Sequence, residues 1–321
     1  MKPRYLPSVV LFVVTPLIAE YLLGSLSLSQ ISALPVLCCM YGGGTVLIRE
    51  TARASRRGWP AIVLLGLAYA VLEEAFATQS LFNPNYLHLR LLDYGYLPVL
   101  GIGVPWTVYV LALHVIWSVC VPIGLVEAMF PGSGETPWLT GPGRLVYGLL
   151  LGAGIAAVTA YSARSEHFMA SAWQFLVAGV TILLLVAAAF RRRSEAVVAS
   201  NRATPAAGTV LGCCFVLGSA FELTRDLNNY QVPWLVTIAA LLALLAAGFG
   251  LRRFWSRTRD WSHRHWYAAA AGGLFVYCWW GYGVEVSLHG RGALLAHSVL
   301  VLTAVAALVL VQLRLRRTAS S

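Results

Sequence analysis

The sequence predicts an all-α, polytopic integral membrane helix bundle of about ten transmembrane helices, a single transmembrane domain over 1–321, and three observations predict it. Hydrophobic residues fill 59% of the 321 positions and charged residues only 11%. Soluble domains carry roughly a quarter charged residues. Apolar stretches of about 20 residues, the length needed to cross the hydrocarbon layer as a helix, recur from end to end. The basic residues cluster in every second gap between those stretches, as a membrane requires and a soluble fold does not.

The spans fall near 6–24, 31–48, 59–81, 105–130, 145–163, 168–190, 205–224, 232–250, 266–286 and 293–313. They are continuously apolar rather than alternating, which selects helices over a closed β-barrel. With the amino terminus in the cytoplasm, 19 of the 23 basic residues fall in inner segments: Lys2, Arg4, Arg49, Arg53, Arg56, Arg57, Arg144, Arg191, Arg192, Arg193, Arg202, Arg252, Arg253, Arg257, Arg259, Arg264, Arg314, Arg316 and Arg317. Only Arg90, Arg164, Arg225 and Arg291 fall in outer ones. The positive-inside rule thus predicts a multi-pass protein of the cell membrane with an even helix count and both termini cytoplasmic. The net charge of +10 follows the same pattern and is expected to meet anionic lipid heads, not nucleic acid. The partners expected are the lipid bilayer and an unidentified membrane or extracytoplasmic substrate.

The first span contains Glu20 and is followed by no small-residue cleavage site, so it is expected to be a mature helix, not a signal peptide. Gly42-Gly43-Gly44, Gly66 with Ala70, Gly148 with Gly152, and Gly272-Gly273 are expected to let helices approach closely. Cys38, Cys39, Cys120, Cys213, Cys214 and Cys278 lie inside spans without C-x-x-C spacing and read as small packing residues. The outer segment from Phe82 to Val104 opens with Asn83-Pro84-Asn85 and is rich in glycine and proline, so it is expected to be an ordered loop or a lid. Tyr86, Tyr94, Tyr96, Trp106 and Trp138 stand near span ends, where half-polar rings suit the interface. His263-Arg264-His265 is expected to be solvated in a basic loop.

Function should be sought among ionisable residues inside the spans, because each costs at least about 2.5–3.5 kcal/mol at the bilayer centre and normally has a partner. The third span carries Glu73 and Glu74. Adjacent helical side chains point about 100° apart, so Glu73 shares a face with Tyr69 and Ala77, and Glu74 shares one with Ala70 and Thr78. The two carboxylates therefore need not do the same job. Two carboxylates this close repel when both are charged, so the pair is expected to hold a proton near neutrality, the state a general acid or proton carrier needs. The fourth span supplies His114, Ser118 one turn later, and Pro122, which distorts the helix and frees a carbonyl. Glu20, Glu222, Asp226, Glu285 and His297 fall at a similar depth, toward the outer side. They either support the site or act as interfacial caps and partners of Arg225 and Arg291.

Over residues 69–118 the chain resembles the CAAX-protease and bacteriocin-processing family of intramembrane glutamate proteases. That family carries E-E-x-x-x-R on one helix, then F-x-x-x-H, then H-x-x-x-N. Glu73 and Glu74 match the pair and His114 the first histidine; Thr78 stands at the arginine position and Val110 at the phenylalanine. The resemblance implies a hydrolase in which Glu73 or Glu74 activates water and His114 orients it or stabilises the oxyanion.

The catalytic candidates are accordingly Glu73, Glu74 and His114, with Glu20, Thr78, Ser118, Glu222, Glu285 and His297 as supporting residues. No cofactor and no metal are expected. H-E-x-x-H, a phosphate-cradling loop and a nucleophile elbow are missing, and zinc would need His88, His114, His289 and His297 to gather with the outer glutamates. Two competing functions use the same residues or none: a proton- or cation-coupled transporter, and a non-catalytic membrane partner protein.

Overall fold

The computed structural model describes residues 5–191 and 201–317. Lys2, Arg4, Arg192, Arg193 and the side chains of Arg316 and Arg317 lie outside that description. Every expected span is a helix, with ends up to six residues from those expected: α1 (Tyr5–Leu22), α2 (Leu28–Ala54), α3 (Trp59–Ala77), α4 (Val104–Met129), α5 (Gly141–Glu166), α6 (Ala172–Arg191), α7 (Ala207–Tyr230), α8 (Trp234–Trp255), α9 (His263–His289) and α10 (Arg291–Leu315). Nine of these are long and apolar enough to cross a membrane. The exception is α9. Its glycines, tryptophans, tyrosines and Glu285 lower its hydropathy, and it tolerates them because it is an inner helix with many buried residues, packed on α4, α7 and α10.

The peripheral helices show the converse. In α5, α6, α8 and α10, side chains such as Leu149, Leu183, Leu235 and Leu302 are exposed along the outside of the bundle. An apolar surface of that extent belongs in lipid, not water. The interior is built around α4, which packs on α1, α3 and α9 and meets α2 through Thr45 and Arg49 and α7 through Tyr109 and Trp117.

The connections sort into two ends. At one, Arg57 donates to the carbonyl of Phe190, His265 contacts the carbonyl of Pro205, and Arg264 donates to the carbonyl of Leu315. We call this the basic end. At the other, Asn83 donates to Glu166, Tyr94 to the carbonyl of Val232, and His289 contacts the carbonyl of Ser25. The Phe82–Val104 segment lies at this second, loop end, as an ordered loop carrying a two-stranded hairpin, Tyr96–Leu97 with Ile102–Gly103.

Four expectations change with the fold. Gly42, Gly44 and Gly272 do permit close approach: a Cβ on Gly42 would lie 2.0 Å from the carbonyl oxygen of Phe12. Gly148 and Gly152, however, face open space and pack against nothing. His263-Arg264-His265 lies not in a loop but in the first turn of α9, where Ser262 and His265 cap each other reciprocally and Arg264 is exposed. Arg49 is not a lipid anchor. It is fully buried and donates to Glu50 (2.5 Å), Glu127 (3.0 Å) and the carbonyls of Ser133 and Gly134, with its guanidinium 3.4 Å from the centre of the Trp138 ring. Arg53 makes two further bonds to Glu127, and Glu50 accepts from the Trp138 and Leu139 amides. This cluster ties α2 to α4 and to the 130–140 connection, so Trp138 is a core residue and not an interfacial one.

Candidate functional site

The site forms where α1–α4 each break their regular hydrogen bonding. The described residues contain four π-helical stretches, Leu17–Leu22, Cys38–Gly42, Glu73–Ala77 and His114–Cys120. One falls in each of the first four helices, and each carries a member of one polar cluster: Glu20, Tyr41, the Glu73-Glu74 pair, and His114 with Ser118. A π turn inserts a residue and re-aims the side chains around it, so such turns are rare and concentrate at functional sites.

Pro122 explains part of the distortion in α4. It has no N–H to offer the carbonyl four residues back, that of Ser118. Thr45 of α2 supplies the missing donor, its hydroxyl 2.7 Å from the Ser118 carbonyl oxygen. The expected freed carbonyl is thus present and satisfied by a neighbouring helix.

Within the cluster the two adjacent glutamates differ. Glu74 is fully engaged: Oε1 lies 2.6 Å from His114 Nε2, and Oε2 accepts from the hydroxyls of Thr78 (3.1 Å) and Ser80. Trp106 Nε1 in turn donates to Ser80 Oγ at 3.2 Å. Glu73 has no exposed surface, and neither of its oxygens accepts a hydrogen bond. His114 Nδ1 lies 3.4 Å from its Oε2. Ser118 Oγ lies 3.1 Å from the same nitrogen. The Tyr69 hydroxyl, one turn before Glu73 on the same face, is also buried without a partner. The faces expected from helical geometry therefore separate the two glutamates as predicted, Glu74 with Thr78 and Glu73 with Tyr69.

Glu20 joins from α1. Its oxygens accept from the hydroxyls of Tyr41 and Ser25, and the Tyr41 ring stacks on His114 with centroids 5.9 Å apart. A single wall of Glu20, Tyr41, His114 and the two glutamates results.

The remaining supporting candidates lie elsewhere. Glu222 is fully buried and accepts from the Tyr109 hydroxyl at 2.5 Å. Glu285 and His297 form a separate buried pair, 3.5 Å apart, between α9 and α10. The expected pairing of Glu20, Glu222, Asp226 and Glu285 with Arg225 or Arg291 does not form as ion pairs among the described residues: hydroxyls take Glu20 and Glu222, and His297 takes Glu285. Among the described residues His88, His289 and His297 join no cluster of metal-ligand proximity.

One set of residues has metal-ligand proximity: Glu73, Glu74 and His114 each offer an atom, all within 4.8 Å of one another. Two carboxylates and an imidazole suit a divalent cation in donor type. His114 Nε2 and Glu74 are spent on each other, so a cation would have to displace their 2.6 Å bond.

The comparison with known families agrees with an ordered bundle of lipid-compatible helices. The model of an uncharacterized membrane protein family matches residues 9–321. The chain belongs to this family. No curated protein and no solved structure matches it.

Sequence reasoning missed Tyr41, Ser80 and Trp106. Tyr41 and Ser80 carried a faint signal: a tyrosine directly before three glycines within an apolar span, and a hydroxyl at the end of one. Trp106 looked interfacial, and only the fold brings its indole to Ser80.

Proposed function

We propose that this membrane protein is a Glu/His-dependent intramembrane hydrolase in which Glu73 is the water-activating base. The contrast between the two glutamates carries the proposal. A buried carboxylate with no hydrogen bond is costly, and Glu73 has only the 3.4 Å approach of His114 Nδ1 to offset it, whereas its neighbour Glu74 is fully satisfied. Glu73 is then free to take the proton of a water attacking a substrate carbonyl and to pass it to the leaving group. Glu74 fixes the imidazole through Nε2, leaving Nδ1 facing Glu73, and the unpartnered Tyr69 hydroxyl is available to donate to the oxyanion. The role agrees with the resemblance to intramembrane glutamate proteases and makes a membrane-embedded peptide the substrate class. With the basic end cytoplasmic by the positive-inside rule, in a cell membrane, the site lies buried in the outer half of the bundle.

The test works without identifying the substrate first. Peptide termini are compared in membranes from cells carrying the wild-type chain or Glu73→Gln. A set of cleaved termini lost in the variant is the expected result; identical profiles overturn the hydrolase.

One observation favours a carrier instead. Glu285 and His297 form a second buried ionisable pair that hydrolysis does not use. Acidification of vesicles reconstituted with the protein, dependent on both pairs, would identify a proton-coupled transporter.

A further inference from the structure

Away from the glutamate site, a cleft of about 530 Å³ opens between α3, α4, α7, α8 and α9. Its walls are almost wholly apolar, including Leu67, Ile116 and Leu217, and small residues such as Gly218 and Gly248 keep it wide. A Cβ on Gly248 would meet nothing within 4 Å. Along α4 the lining runs from Val108 to Gly124, which at 1.5 Å per residue is about 24 Å. That is more than half of the roughly 30 Å hydrocarbon thickness, so the cleft has the reach of one lipid chain from a single leaflet.

Its polar end is specific. Arg252 lines the cleft at the basic end, with a buried Nε that has no hydrogen-bond partner. Among the described residues no carboxylate lies within ion-pair distance of it. Trp59 and Trp266, stacked 4.8 Å apart, line the same region with the half-polar rings that favour the headgroup boundary. A guanidinium at the mouth of an apolar slot calls for an anion on an apolar stem. A zwitterionic head would bring its own cation beside Arg252 and the adjacent Arg253, whereas an anionic head brings none.

We propose that this cleft is a binding site for an anionic phospholipid of the surrounding bilayer, with one acyl chain lying between α4 and α8 and the headgroup phosphate on the Arg252 guanidinium. The site is independent of Glu73 and stands whether or not the protein is a hydrolase.

The experiment places the full chain in nanodiscs of equal parts phosphatidylcholine and phosphatidylglycerol, then releases it for native mass spectrometry. One phosphatidylglycerol retained per chain, in preference to phosphatidylcholine, is expected. Arg252→Gln should lower that preference about tenfold, and Gly248→Leu, which fills open space, should remove the retained lipid of either kind. Thermal unfolding of each variant checks that the bundle is intact. Equal retention of the two lipids by the wild type, an unchanged preference in Arg252→Gln, or a second copy of the chain bound in place of lipid would each overturn the proposal.

Discussion

Replacing each glutamate of the adjacent pair by glutamine separates a structural carboxylate from a functional one. Glu74 accepts three hydrogen bonds, from His114, Thr78 and Ser80. Glutamine keeps one oxygen for His114 but sets an amide NH2 where Oε2 accepted two hydroxyls, which must turn round. Bonds to a charged group are worth about 1.5–3 kcal/mol and neutral ones about 0.5–1.5, so three exchanges lose about 3 kcal/mol in Glu74→Gln. Glu73 accepts none, so Glu73→Gln should change stability by less than about 1 kcal/mol while removing the base, a loss of about 10²–10⁴ in turnover. Stability is read by denaturant unfolding in micelles, following tryptophan fluorescence, and turnover on a substrate found from the terminus comparison. If Glu73→Gln destabilised the protein as much as Glu74→Gln, Glu73 would be a structural partner and the assignment of roles would fail.

The other expectations concern the frame around the site. Arg49→Lys keeps the charge but replaces a four-bond fork with a point ammonium of three donors, and should cost about 1.5–3 kcal/mol in the same unfolding assay; a lipid anchor would lose nothing. Thr45→Val strands the Ser118 carbonyl and should cost about 1–3 kcal/mol, and less in a Pro122→Ala background, where a backbone N–H is restored; an equal cost in both backgrounds would contradict the proline account. Gly42→Ala forces α1 and α2 apart against the Phe12 carbonyl and should cost about 3 kcal/mol or more. Gly148→Ala, in open space on α5, should be neutral or stabilise by up to about 1 kcal/mol, and the two thermal midpoints taken together check the pair.

The helices were legible because a bilayer leaves a chain few options. A span must be long, apolar and internally hydrogen-bonded, and composition alone records that, so all ten segments could be located from their residues. Even α9, least apolar, was legible as a long, mostly apolar stretch leading away from a strongly basic gap. The candidate site was half legible. Glu73, Glu74 and His114 stood out because ionisable groups at depth are expensive, and helical periodicity assigned the two glutamates to different faces before any contact was known.

What only the tertiary structure decided is which polar groups meet. Glu20, Glu222, Glu285 and His297 occupy similar depths and are equivalent in sequence, yet Glu20 alone joins the site, through Tyr41. The π turns that re-aim these side chains leave no mark in a hydropathy profile, since they exchange one backbone hydrogen-bond pattern for another in the same apolar residues. Arg49 likewise reads as one more inner charge until the fold surrounds it with Glu50, Glu127 and Trp138. Partitioning into a membrane depends on each residue's own transfer free energy and so can be summed along the chain. Pairing depends on distances of a few ångströms between helices, which no position in the sequence carries by itself.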